Sequence, residues 1–252
     1  MNPVGCSVGR KMRCDHIRHD PAAPTVATRL VRVLQFGDSM FPVGGFAFSC
    51  GVESAIQTGV VGDAATLHAF TCTAVEQAAR GDGIALIAAH RAAVAADLDT
   101  LIRVDEEVYA RKLSEETRSM SRRLGKKFAE MGARVIGAPL LHEWRNCIEG
   151  SRTPGCYPVA LAVTFAAEGL PALDAFVVHQ SALAATILGA ALRLMKVSHV
   201  QTQAILFELS GRTEAAYETA AAAQLSDMSA FAPLSEILAA VHGAGHVRLF
   251  MS

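Results

Sequence analysis

The chain has 252 residues, enough for one large domain or two small ones. Its 23 Lys and Arg against 24 Asp and Glu leave a net charge of −1, so no global field draws in nucleic acid or acidic lipid. Abundant Ala and only 6% aromatic residues favour close-packed helices over sheets.

Residues 1–24 are basic, rich in His and Pro, and lack periodicity, which predicts a disordered tail. Cys6, Cys14, His16 and His19 fall there, at spacings that match no standard zinc pattern. From Thr25, Ala27, Leu30, Val31 and Leu34 follow helical spacing and predict a helix. The stretch Gly37–Glu53 interrupts it with Pro42 and the pair Gly44-Gly45, which reads as a sharp turn or a close backbone approach. A short helix is predicted from Ser49 to Gln57, with Ser49 as its cap. Asp63 caps the next helix, which carries Leu67, Phe70, Ala74, Val75 and Ala78 and should stop at Gly81. Ile84–Val94 is Ala-rich; Asp97 caps a helix with Leu101, Val104 and Val108 inside.

One long charged helix is predicted over Arg111–Met131. Around Glu106–Lys127 the Glu107–Arg111 and Glu115–Arg118 pairs support a solvated face, and the basic residues crowding the C-terminal half offer a docking surface as the alternative. Residues 132–156, rich in Gly and Pro, read as the loosest region, with room for a short helix at His142-Glu143-Trp144. Helices follow at Tyr157–Glu168, Ala172–Met195, Gln201–Leu209, Arg212–Ser229 and Leu234–His242. The fold class is all-α: one compact multi-helix domain over 25–252 behind the tail. The apolar runs near Val159–Val178 and Ser181–Met195 are broken by charges or Pro before reaching the roughly 20 residues of a span, so they read as core helices. The six scattered cysteines form no CxxC pair, and no signal peptide is visible, which predicts reduced thiols in the cytoplasm.

Chemistry-bearing motifs are sparse. Ala47-Phe48-Ser49-Cys50-Gly51 has the spacing of a nucleophile elbow, but Pro42, Gly44 and Gly45 cannot form the strand an elbow needs. Gly81-Asp82-Gly83 follows a helix rather than a strand, so it does not read as a dinucleotide loop, and no P-loop is present. His242 and His246 stand four apart, but the two glycines between them argue against a helical metal pair. No metal or cofactor is expected.

The segment Asp38-Ser39-x-x-Pro42-x-Gly44-Gly45-Phe46-x-x-Ser49-x-Gly51-x-Glu53 resembles the N-terminal signature of the urease accessory UreF family. Glu116-Thr117-Arg118, Tyr157-Pro158-Val159, Arg193-Leu194 with Gln203, and the ending Arg248-Leu249-Phe250-Met251-Ser252 resemble later family segments in the same order. Family members often carry His at the position of Phe48 and Leu at that of Val52. The resemblance implies an all-helical, non-enzymatic adaptor that dimerises and binds UreD (also called UreH). It further implies recruitment of the GTPase UreG and nickel delivery to apo-urease. Two other readings stand beside it: a small helical serine esterase using Ser49, and a helical metal-binding protein using the histidines.

Overall fold

The structure is a computed structural model that describes residues 24–38, 41–45, 48–229 and 250. The predicted tail up to residue 23, the helix at 234–242 and the pair His242/His246 lie outside these residues. Among the described residues every regular element is helical, as the composition predicts.

The organising element is α8 (Tyr157–Ala167). Every residue from Pro158 to Phe165 is buried, so it has no polar side to turn outward and must be covered all round. Two helices cover most of it: α4 (Ile84–Val94), an Ala-rich helix that allows close approach, and α6 (Glu115–Val135). On α6 the approach is closest at Gly125, where a Cβ would lie 2.2 Å from the Gly155 carbonyl oxygen. Any larger residue there pushes α6 off the start of α8. Further cover comes from α5 (Leu98–Arg111), α7 (Pro139–Glu149) and α9 (Ala172–Leu194).

Phe36, Phe41, Phe128 and Phe165 pack as one aromatic group, with ring centroids 5.1–6.0 Å apart. They join α1 (Val26–Gly37) and the turn after it to this core. A second apolar cluster holds α2 (Val52–Gln57), α3 (Ala64–Ala78) and α10 (His199–Ser210) against the C-terminal half of α9. The described chain then runs through α11 (Thr213–Ala222) and a 3₁₀ turn at Leu225–Asp227.

Several boundaries differ from the periodicity. Gly81 does not end α3: residues Ala79–Gly83 form a π-helical turn that leads directly into α4. The long charged helix starts at Glu115 rather than Arg111 and runs on to Val135. Lys112 turns extended, and Ser114 starts α6 by accepting the Thr117 N–H. Arg118 then donates to the Lys112 carbonyl at 2.9 Å and to Glu115 at 3.1 Å, fastening the break. Residues 132–156 are not loose, because α7 buries Leu141, Trp144, Cys147 and Ile148.

The stripe on α1 is inverted. Arg29 and Arg32 face inward, paired with Asp174 and Glu168, and leave Leu30, Val31 and Leu34 exposed. Helix α9 is, by length and composition alone, apolar enough to cross a membrane; more than half of that stretch is buried inside this fold.

Asp105, fully buried on α5, accepts from the Thr153 hydroxyl (2.6 Å), the Gly155 N–H (2.5 Å) and the Cys156 N–H (2.8 Å). It fixes the loop that launches α8. Burial pushes its carboxyl up, and the three donors work against that. Asp105→Ala strands these donors away from water and should cost roughly 2–4 kcal/mol. Circular dichroism should then show a melting temperature lower by roughly 5–15 °C. An unchanged melting temperature would contradict the role given to this loop.

Candidate functional site

The signature segment forms a series of tight turns. The Phe41 N–H donates to the Asp38 carbonyl (2.9 Å), the Val43 N–H to Phe41 (2.7 Å) and the Phe48 N–H to Gly45 (3.2 Å). Gly44 has φ +82°, and nothing lies within 4 Å of the place a Cβ would take. Its need for glycine is therefore conformational, and the alternative of a close backbone approach does not apply. Cys50 and Gly51 are both left-handed, at φ +51° and +83°. Two such residues in succession delay the helix, so α2 begins at Val52 with Gly51 as its N-cap. Ser49 is not the cap: it is buried before the bend, and its carbonyl accepts the Val52 N–H at 3.2 Å. No strand precedes it among the described residues.

Below this turn a cavity of about 380 Å³ opens between the end of α1, the π turn, the α5–α6 junction and α9. Phe36, Phe41, Val43, Phe48 and Leu124 supply much of its apolar lining. Asp82, Lys112, Tyr157 and His179 supply its polar groups. Lys112 Nζ sits 2.9 Å from both carboxylate oxygens of Asp82, and His179 Nε2 lies 3.7 Å from Oδ2. Burial pushes the Asp82 carboxyl up, but Lys112 and His179 outweigh it and hold it well below the usual carboxylate range. Tyr157 stacks on His179 with centroids 5.9 Å apart. His179 Nδ1 is buried without a hydrogen-bond partner among the described residues.

Burial pushes the Cys50 thiol up to about 12, although Lys112 pulls the other way, and it also raises the Tyr157 hydroxyl. Both stay protonated near neutral pH, so neither offers an activated nucleophile. Among the described residues no three His, Cys, Asp or Glu side chains are grouped to hold a metal. The described cysteines, Cys50, Cys72, Cys147 and Cys156, are all free thiols.

The family-like segments named from the sequence meet here only in part. Glu53, 1% exposed on α2, accepts the Phe250 N–H at 3.3 Å. The Arg193 guanidinium lies 4.2 Å over the Phe250 ring. Signature, α9 and chain end thus converge, and the Phe250 ring is buried within its own chain. Asp38 and Gly45 line the cavity; Pro42 sits in the turn beside it. Arg118 serves the α5–α6 break, and Gln203 is exposed on α10, outside the cavity lining. Ser39, Phe46, Arg248 and Leu249 lie outside the described residues.

The sequence matches the UreF family description over residues 61–210. The chain belongs to the UreF family. It is 52% identical over 223 residues to urease accessory protein UreF 2 of Brucella canis, covering 88% of this chain and 92% of that one. It is 51% identical over 224 residues to urease accessory protein UreF of Yersinia pseudotuberculosis, covering 89% and 98%. The signature turn lies before the matched region and supplies part of the cavity lining. Sequence reasoning missed Asp82, Lys112 and His179 as a group. The available signals were an Asp between two glycines within a continuous helix and a lone His in the uncharged run 175–192.

Because the folded Asp82 carboxyl titrates below its unfolded value, the stability it contributes is complete above about pH 4 and is lost as pH falls towards the folded value. Lys112→Met leaves Asp82 unpaired in a half-buried site and should destabilise by roughly 1–3 kcal/mol at neutral pH. The gap in melting temperature between variant and wild type should narrow as pH drops below about 4. A gap that stays constant through that range would show that the pair is not the cause.

Proposed function

We propose that this chain is a non-enzymatic adaptor in urease maturation. It binds UreD (UreH), recruits the GTPase UreG to apo-urease and supports nickel delivery there, working in the cytoplasm as a homodimer. Nickel is cargo in this scheme, and the chain needs no cofactor of its own.

The observation that carries the proposal is family membership along most of the chain, at about half identity to proteins named as urease accessory proteins. The site chemistry supports it. Asp82 and Lys112 neutralise one another, the Cys50 thiol is held protonated, and Ser49 is buried before a bend rather than raised on an elbow. Such a site suits holding a shape for a partner more than making and breaking bonds. The signature residues Asp38, Ser39, Pro42, Gly44, Gly45, Phe46 and Gly51 then build the surface offered to partners, and the buried Glu53 braces it through Phe250. Arg248 and Leu249, which precede the anchored Phe250 in the sequence, are assigned to the same partner contact.

Co-expression with tagged UreD tests the proposal. The chain should be captured in a stable complex, and that complex should then capture UreG. Failure to co-purify with UreD would contradict the adaptor role. Ser49→Ala should retain capture and urease activation; complete loss of activation in a folded Ser49→Ala protein would instead give the hydroxyl a chemical role.

A further inference from the structure

Helix α6 borders two recesses. Met120, Ser121 and Leu124 line the cavity beneath the signature turn. Ser119, Arg122, Arg123 and Lys126 line a second recess of about 670 Å³, between α5, α6 and the loop from α7 to α8. The two share no lining residue. Arg152, on the loop, brings a fourth cationic side chain to the second recess, and Ile148 and Pro154 give it apolar surface.

Three carboxylates also border it, but two of them are engaged outside it. Glu115 binds Arg118 at 3.1 Å, and Glu149 binds Arg145 at 3.4 Å; neither arginine is part of the lining. Among the described residues no carboxylate pairs with Arg122, Lys126 or Arg152. The Arg122 guanidinium lies 5.8 Å from the centre of the Tyr109 ring, and that of Arg118 lies at the same distance. An aromatic face holds a guanidinium in place without consuming its charge, which lowers the cost of ordering it when an anion arrives.

We propose that this recess docks a carboxylate-rich segment of a partner protein. Charge complementarity selects the occupant: unpaired cations surround the recess, while the chain as a whole carries a net charge of −1. A nucleic acid fits less well. It binds through a long run of phosphate contacts, and Glu106, Glu115 and Glu149 interrupt any such run here. A short acidic segment can set its carboxylates against Arg122, Lys126 and Arg152 and lay aliphatic carbon on Ile148 and Pro154. The recess lies apart from the signature turn and chain end assigned above to UreD, so either assignment can fail without the other.

The test is fluorescence anisotropy of the full chain with a labelled peptide, Glu-Glu-Leu-Glu-Glu-Leu. A peptide with Gln in place of every Glu and a labelled hexauridylate serve as comparisons. Arg122→Gln/Lys126→Gln removes two cations from the recess. Arg103→Gln/Arg134→Gln removes two exposed cations elsewhere and gives the same net charge. All four side chains are exposed, so melting temperatures should match wild type. Wild type and the Arg103/Arg134 variant should bind the Glu peptide, more weakly as salt rises. The Arg122/Lys126 variant should bind it at least about fivefold more weakly. Should that variant fail to fold, Arg152→Gln on the loop carries the same test, with a loss of about twofold or more. Absence of binding by wild type, or equal binding of the Gln peptide, would overturn the proposal. Equal weakening in both double variants would assign the binding to overall charge and overturn it too. Tighter binding of hexauridylate, lost in the Arg122/Lys126 variant, would assign the recess to nucleic acid instead.

Discussion

A helix with no polar side governs this fold. From Pro158 to Phe165 every residue of α8 is buried, so the surrounding helices must enclose it completely. Ala-rich α4 and the glycine at position 125 of α6 meet that demand by allowing backbones to come close. Asp105 then fixes where α8 begins, using three donors from the loop before it. The positions of α5, α6 and α9 follow from covering this one element.

That enclosure places charged groups where they would otherwise be costly. The π turn at Ala79–Gly83 presents Asp82 towards the α5–α6 break, where Lys112 reaches it. His179, the one titratable residue in the uncharged run of α9, approaches from the third side. Lys112 neutralises Asp82 beneath the signature turn, with His179 beside them, and a mostly apolar recess lies above. A π turn in this position is a strained choice that recurs at functional sites. Here it orients a carboxylate that a regular helix would direct elsewhere.

Much of the fold was legible because helical periodicity and capping are local. Asp63 and Asp97 cap the helices they were expected to cap, and Leu101, Val104 and Val108 are buried as their spacing implies. What failed was governed by distant partners. Spacing on α1 showed a helix but not which of its sides faces the body. Asp174 and Glu168, more than 130 residues away, decide that the side bearing the arginines does. Gly81 looked like a stop, yet a π turn carries the helix through it. Ser49 looked like a cap, but two left-handed residues shift the start of α2 to Val52. The signature segment was visible from its Pro and Gly residues, whereas the Asp82–Lys112–His179 group is assembled from three separate parts of the chain and leaves no pattern in any of them.

A scaffold built this way keeps Asp82, Lys112 and His179 beneath its signature turn and leaves an apolar stripe on α1 outside. These properties suit a protein that works by bringing others together. The most direct measurement of that account is urease activation from purified apo-urease, UreD, UreG, GTP and nickel, with and without this chain. Activation should depend on the chain, which by itself should hydrolyse neither urea nor GTP. Equal activation without it, or turnover by the chain alone, would contradict an adaptor role.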